Sequence, residues 1–297
     1  MSTDTPRLSI VIVSRNGWSD LSRCLVSLRD LPGSPDREVI VVDNGSDDGT
    51  PDRVERDFPG FRLLRNRDNR GYPAANNQGA AAARGEFLLF LNPDTAVPSG
   101  ALEWMLDELI RNPGLGGVGP ALVDAGGGFQ VSFGGRVTFW RELARKAVLN
   151  ARLRRRIGGW RRSRPADWLS GACLMVRREA LPFPRPFDEG YFLYFEDIDL
   201  CYRMREKGWK LAFLPEVRVF HKGGGSTGSR PLFSRYHYRR SQLRFYRRHN
   251  SFPARVLLKF YLAVVFVGMY LKRPNKRSEP HFERKRFFSL LGRGGTE

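Results

Sequence analysis

Residues 8–17 read LSIVIVSRNG, and residues 38–50 read EVIVVDNGSDDGT. Each opens with a short apolar run rich in β-branched residues, the pattern of a strand buried on both faces. Each run ends abruptly in polar residues: Ser14-Arg15-Asn16-Gly17 after the first, Asp43-Asn44-Gly45-Ser46-Asp47-Asp48-Gly49 after the second. Between them, Leu21, Cys24, Leu25 and Leu28 recur at helical spacing over Ser19–Asp30, with Ser19 as the expected N-cap and Pro32-Gly33 as the stop. Phe61–Leu64 reads as a third strand and Glu86–Leu91 as another. Pro73–Arg84 is an Ala-rich helix opened by proline, and Ser99–Arg111 repeats the helical pattern at Leu102, Met105, Leu106 and Leu109. Strand alternating with helix predicts an α/β fold: a Rossmann-like, mostly parallel sheet with helices on both faces.

The chain has 297 residues, 41% hydrophobic and 27% charged, which excludes disorder, collagen-like repeats and a disulfide scaffold. Cys24, Cys173 and Cys201 show no metal-ligand spacing, and we expect reduced thiols in a reducing compartment. The N-terminal residues lack the pattern of a secretory signal. After residue 115 the pattern becomes irregular, and Gly- and Arg-rich stretches to about residue 166 suggest a mobile or functional insert. Within it, Gly114–Gly119 fits G-x-G-x-x-G by letter, but no helix follows, so a dinucleotide fingerprint is excluded. Short strands are expected at Ala172–Val176 and Val217–Phe220, and a helix at Asp199–Lys207 with Gly208 just past its end and Asp199 as its cap.

Charge is segregated. Residues 136–164 hold 11 Lys+Arg against 1 Asp+Glu, and residues 217–297 hold 19 against 3. The blocks before each are slightly acidic, with 13 against 18 over 1–135 and 7 against 9 over 165–216. Such segregation suggests a polyanionic partner: a phosphate ligand, nucleic acid or an anionic membrane. Val256–Leu271 is an almost wholly apolar run of 16 residues, short of the ~20 that span a bilayer, flanked by Arg247, Arg248, Arg255, Lys272, Arg273, Lys276 and Arg277. That combination fits a helix lying in an anionic membrane surface, with a buried core helix as the alternative.

In open α/β sheets, ligands bind beyond the carboxyl ends of the strands. One Asp at a strand end is an ordinary turn residue. Here three strand ends turn polar, the third at Asn92-Pro93-Asp94, which points to a shared site. Together VIVSRNG, VVDNGSDDGT, NRGYPAANNQG, FLLFLNPD and YFEDIDLCYR, in that order and spacing, resemble family 2 glycosyltransferases, most of all their rhamnosyltransferase-type branch. The resemblance covers roughly residues 8–225 and, more loosely, the basic tail.

It implies a GT-A fold, a nucleotide-diphosphate sugar donor, a divalent metal (Mg²⁺ or Mn²⁺) and inversion at the anomeric carbon. Ser14, Arg15 and Asp43 would hold the nucleoside, with Asp43 accepting the base imide N–H. Asn69, Arg70, Gly71 and Asn76 match the second donor loop, where Arg70 would meet a phosphate through a charge-assisted hydrogen bond. Asn92 and Asp94 occupy the place of the family's DxD motif; asparagine at its first position puts the metal contact on Asp94. His221, after a strand and before a Gly-rich loop, is a second candidate for metal or diphosphate; a purely structural histidine is the alternative. Asp197 matches the general base and Glu196 its orienting neighbour, against the plainer role of an acidic helix start. Trp168 and Gly171 lie in the stretch facing sugar and acceptor, with core packing as the other role open to Trp168.

The expectation is therefore an inverting, metal-assisted glycosyltransferase. Its domain, 1–225, divides into a nucleotide-sugar half of about 1–115 and an acceptor half of about 116–225. A basic, helical, membrane-associating region of 226–297 follows. The donor would be a dTDP- or UDP-sugar, with L-rhamnose favoured by resemblance, and the acceptor a glycan or lipid-linked glycan. The site of action would be cytoplasmic, peripheral on the inner face of the cell membrane. A nucleotidyltransferase on a similar sheet would need a Gly-rich first loop bearing Lys or Arg, and Ser14–Trp18 offers only Arg15. A non-catalytic nucleic-acid or membrane-binding module would use the basic tail, including Arg235–Asn250 with its interleaved aromatics, but leaves the acidic residues unexplained. No recognisable nucleic-acid module is present, so nucleic acid is not an expected partner.

Overall fold

The computed structural model describes residues 5–31, 36–144, 160, 162–223, 231–271 and 286–292. The Pro32-Gly33 stop, residues 145–159 of the basic stretch, the end of the Gly-rich loop after Gly223 and the basic residues Lys272, Arg273, Lys276 and Arg277 lie outside these.

The first half follows the sequence pattern: β1 (Leu8–Ser14), α1 (Trp18–Arg29), β2 (Arg37–Asn44), α2 (Thr50–Asp57), β3 (Arg62–Asn66), α3 (Tyr72–Ala82), β4 (Phe87–Leu91), β5 (Thr95–Ala96) and α4 (Ala101–Arg111). Strands β3, β2, β1 and β4 lie side by side and parallel. Their residues alternate between two apolar layers. Val11, Val13, Ile40, Val42, Leu88 and Phe90 face one layer; Ile10, Ile12, Val39, Val41, Leu89 and Leu91 face the other. Both faces of β1, β2 and β4 are buried, which is why those three strands read as near-continuous apolar runs, whereas β3, at the sheet edge, is only half-buried. Helix α1 starts one residue before the expected cap, with Gly17 at the N-cap and Ser19 inside the first turn.

The second half corrects the sequence reading. Leu115–Val123, taken as the start of an irregular insert, is the nine-residue strand β6. It is followed by β7 (Phe133–Gly134), α5 (Phe139–Ala144), β8 (Arg164–Ala166), β9 (Trp168–Leu169), β10 (Cys173–Arg177), α6 (Glu196–Glu206) and β11 (Lys210–His221). Strand β10 runs antiparallel to β4 and to β6, and β6 runs parallel to β11, so a nine-stranded mixed sheet draws on both halves of the chain. The glycines of β6 are there because neighbours crowd it. A Cβ on Gly116 would lie 2.8 Å from Trp209 Cβ, and one on Gly119 would lie 3.2 Å from Leu169 Cδ2. The short strand expected at Val217–Phe220 is the end of the 12-residue β11. Helix α6 begins three residues before the expected Asp199, with Phe195 at its N-cap and Gly208 beyond its end at φ +91°.

Three helices close the described chain: α7 (Pro231–His249), α8 (Phe252–Leu271) and α9 (Arg286–Gly292). Phe245, Tyr246, Leu258, Leu262, Phe266 and Phe287 are buried in the same apolar layer as Leu88 and Phe90. The basic tail is thus built onto the core. Its aromatics Phe245 and Tyr246 turn inward rather than offering faces to bases. Helix α8 has 20 residues rather than 16, because Phe252-Pro253-Ala254-Arg255 forms its first turn. The three cysteines are free and buried.

Candidate active site

The carboxyl ends of β1 and β2 are in register, Ser14 opposite Asp43. Both are buried, and both carry an oxygen without a hydrogen-bond partner, Ser14 Oγ and Asp43 Oδ1. Asp43 Oδ2 is used locally, accepting the Ser46 N–H at 3.0 Å. Two orphaned oxygens at adjacent strand ends suit a ligand that brings its own donors. Arg15 is exposed beside them, its Nε donating to Gly45 O at 3.3 Å.

The second loop is a latch. Asn69 Oδ1 accepts from Asn44 Nδ2 and from Gly71 N, each at 3.0 Å, and Asn44 Oδ1 accepts the Arg70 N–H at 3.0 Å. Gly71 sits at φ +84°, where a Cβ would also meet Phe192 at 2.9 Å, so only glycine fits. Asn69 and Gly71 therefore shape the loop, and Arg70 is left exposed at its tip. Asn76 is fully buried one turn into α3; its Nδ2 donates to Tyr72 O at 3.0 Å and its Oδ1 has no partner.

A cavity of about 450 Å³ opens next to this loop, walled by Asn92, Asp94, Trp168, Glu196, Asp197 and His221 among others. On one side, Asp94 Oδ1 lies 3.3 Å from His221 Nε2, and Asp94 Oδ2 accepts the Gly223 N–H at 3.2 Å. Burial disfavours the Asp94 charge, but the His221 contact and backbone N–H donors outweigh it and hold the carboxyl below the usual range. Gln130 Nε2 donates to His221 O at 2.7 Å, which turns Gln130 Oε1 toward His221 Nδ1, also at 2.7 Å. Nδ1 must then carry a proton, leaving Nε2 to meet Asp94, either as a donor or as a lone pair beside a shared cation. Asn92 completes this wall: its Nδ2 lies 3.4 Å from His221 Nε2 and its Oδ1 accepts the Tyr72 hydroxyl at 2.9 Å. Among the described residues, no cluster of three or more His, Cys, Asp or Glu could hold a metal. A cation here would take Asp94 and His221 and draw its remaining ligands from phosphate and water, as Mg²⁺ and Mn²⁺ do.

The first turn of α6 also lines this cavity. Asp197 Oδ2 accepts the Gly171 N–H and Oδ1 the Ile198 N–H, both at 2.8 Å. Burial nonetheless pushes the Asp197 carboxyl up, against those two backbone donors. Burial, followed by the Asp197 charge, pushes Glu196 well above the carboxylate range, and its buried Oε2 has no partner. Trp168 is buried with its Nε1 donating to Gly135 O at 3.2 Å, so it packs in the core and also lines the cavity. Asp199 does not cap the helix. It is fully buried one turn in, paired with Arg203 Nε at 2.7 Å and His249 Nε2 at 2.8 Å.

The structure thus gathers Asn92, Asp94, Trp168, Gly171, Glu196, Asp197 and His221 around one cavity, with Ser14 and Asp43 at neighbouring strand ends. Sequence reasoning missed Gln130, Tyr72, Tyr238 and Glu142. Tyr72 stood inside a quoted motif; Gln130 lies 91 residues from His221 and left no local signal.

The glycosyl transferase family 2 profile matches residues 9–181. The chain is 32% identical, over 92% of its length and 97% of the relative's, to the N-acetylglucosaminyl-diphospho-decaprenol L-rhamnosyltransferase of Mycobacterium tuberculosis. It is 30% identical over 72% of its length to the pre-mycofactocin glycosyltransferase of the same species, covering 42% of that protein. Among solved structures, the mannosyltransferase PcManGT of Pyrobaculum calidifontis, in complex with GDP-Man and Mn²⁺, aligns at TM-score 0.57 and 16% identity, covering 98% of this chain and 87% of the other. GalNAc-T7 with UDP, GalNAc and Mn²⁺ aligns at TM-score 0.53 and 19% identity, over 73% of this chain and 43% of its own.

Proposed function

The chain belongs to glycosyl transferase family 2, with a GT-A fold, and from that premise we propose that it inverts the anomeric carbon while moving L-rhamnose from a dTDP- or UDP-linked donor to a lipid-linked glycan. One observation carries the reading. A cation-suited pair, Asp94 and His221, and a buried carboxyl pair, Glu196 and Asp197, line the same cavity.

The nucleoside would settle over Ser14 and Asp43, whose unpartnered oxygens accept its donors. Arg15 and Arg70, both exposed, would supply charge for phosphate. Asp94 and His221, beside Asn92, would hold Mg²⁺ or Mn²⁺, and a cation there would supply positive charge to offset that of the leaving diphosphate. Asp197 takes the acceptor hydroxyl proton as that oxygen bonds to the anomeric carbon; the bond to the diphosphate oxygen breaks, and its electron pair leaves with the diphosphate. One displacement inverts the centre. Gly171 and Ile198 fix the direction of the Asp197 oxygens, and the raised Asp197 value makes it a stronger base than a solvated aspartate. Glu196, kept protonated by burial and its neighbour, orients the acceptor as a donor rather than competing for the proton. Trp168 and Gly171 bound the space for the acceptor sugar.

The relative's name specifies a decaprenol-linked acceptor, and an acceptor of that kind would draw this enzyme to the cytoplasmic face of the membrane. The test is release of nucleoside diphosphate from a panel of nucleotide sugars with and without Mn²⁺. The reading expects metal-dependent turnover of a deoxyhexose or hexose donor; no turnover of any donor under either condition overturns it.

A further inference from the structure

The two basic blocks of the sequence are separated by residues 165–216, yet the fold brings helices from both together. Helix α5 belongs to the first block and α8 to the second, and the Phe139 ring lies 6.1 Å from the Tyr261 ring where they meet. Each also leaves large apolar side chains in the open. On α5, Trp140 is 67% exposed and Leu143 is exposed beside it. On α8, Leu258, Leu262 and Phe266 face the core, while Phe260 is 71% exposed on the other side, with Phe252, Val256 and Val264 also exposed.

A soluble surface has no reason to cluster such residues. By length and composition Phe252–Met269 could cross a membrane, with only 17% of it buried. Crossing is disfavoured by its neighbour. Helix α7 packs along α8 and carries six arginines, which could not follow it into hydrocarbon cheaply. An apolar face rimmed by Arg255 and Lys259, formed where two strongly basic blocks converge, is the chemistry of a helix lying in an anionic interface.

We propose that α5 and α8 form one composite docking face for an anionic lipid bilayer, and that α5 ties this face to the catalytic cavity. Glu142 of α5 makes the tie. Its side chain lines the cavity, and its carboxylate accepts hydrogen bonds from Gln242 Nε2, at 3.0 and 3.1 Å, and from the Tyr246 hydroxyl of α7. Glu142 also lines a small recess with Phe139, Leu143, Leu258 and Tyr261, so the membrane face and the acceptor side of the site share a wall. The inference rests on the lipid-linked acceptor proposed above and specifies which surface meets the bilayer.

The experiment is co-sedimentation of the full chain with vesicles of phosphatidylcholine alone and of phosphatidylcholine with about a quarter phosphatidylglycerol. Donor turnover is measured on the same samples. Binding to the anionic vesicles should exceed binding to neutral ones by at least about tenfold and fall with salt. Phe260→Glu and Trp140→Glu should each weaken it about fivefold or more, and the pair together should abolish it. Trp104→Glu, 55% exposed on α4 against the other apolar layer, should bind like the parent, and all variants should keep donor turnover. Parental binding by both Phe260→Glu and Trp140→Glu overturns the proposal. So does a stable dimer that Phe260→Glu dissolves while no form binds vesicles, which would make a second copy the occupant. Failure of donor turnover in the parent would instead overturn the enzymatic reading and leave vesicle binding to be judged separately.

Discussion

The backbone N–H of Gly171 donates to Oδ2 of Asp197 across 2.8 Å, and a Cβ at position 171 would lie 3.1 Å from the Asp197 Cβ. The loop after β9 and the first turn of α6 are therefore in contact through a site with no room for a side chain. Gly171→Ala should displace the carboxylate by a few tenths of an ångström. The expected result is a fall in kcat of about tenfold or more, with nucleotide affinity unchanged, because only the reacting geometry is disturbed. Steady-state kinetics paired with nucleotide titration checks the split.

Asp94 and Asp43 have separate tasks in this account. Asp94 sits 3.3 Å from His221 Nε2, whereas Asp43 ends β2 with an unpartnered oxygen. Asp94→Ala should remove the benefit of Mn²⁺ on nucleoside diphosphate binding and leave metal-free binding alone. Asp43→Ala should weaken both, and the free nucleoside too, by about 1–3 kcal/mol for a lost buried partner. Calorimetric titration with and without Mn²⁺ separates the two; equal behaviour would refute the division.

Glu196 links the site to stability. Its folded-state pKa lies above the unfolded one, so its contribution is fully present below the ordinary ~4.3 and is lost as pH rises through the raised value. Glu196→Gln cannot ionise and escapes that loss. Relative to the parent, the variant's Tm should therefore climb as pH is raised from about 4 to 8. A Tm difference independent of pH would show that Glu196 is not held protonated.

Asp199 carries the opposite sign. Burial opposes its charge, but His249, Arg203 and Arg248 outweigh it and hold its carboxyl low. Its contribution is present above the unfolded ~3.9 and fades as pH falls through the depressed value. Asp199→Asn should cost about 3 kcal/mol at neutral pH by leaving the mostly buried Arg203 guanidinium uncompensated, and the cost should shrink in acid. Denaturant unfolding at two pH values measures it.

The sites of legibility follow from physics. Strands β1, β2 and β4 were readable because both their faces are apolar, so Val11 and Ile12 are equally buried though they point to opposite layers. Strand β6 was not, because the glycines that let Trp209 and Leu169 approach it also give it the composition of a loop. Asp94, Glu196 and Asp197 were found through motifs, and the structure places them around one cavity. Asp199 was misread because its partner His249 comes from a helix 50 residues on, which no local pattern announces. Gln130 and Glu142 escaped for the same reason: each acts through contacts about a hundred residues away, with His221 and with Gln242.

In the proposed reaction everything turns on Asp197 taking the acceptor proton. The most direct measurement is sugar transfer by purified Asp197→Asn to a prenyl-diphosphate-linked N-acetylglucosamine, with donor affinity titrated on the same preparation. The account predicts a loss of about 10²–10⁴ in transfer rate with donor affinity kept within about twofold. Near-parental transfer by Asp197→Asn would contradict it.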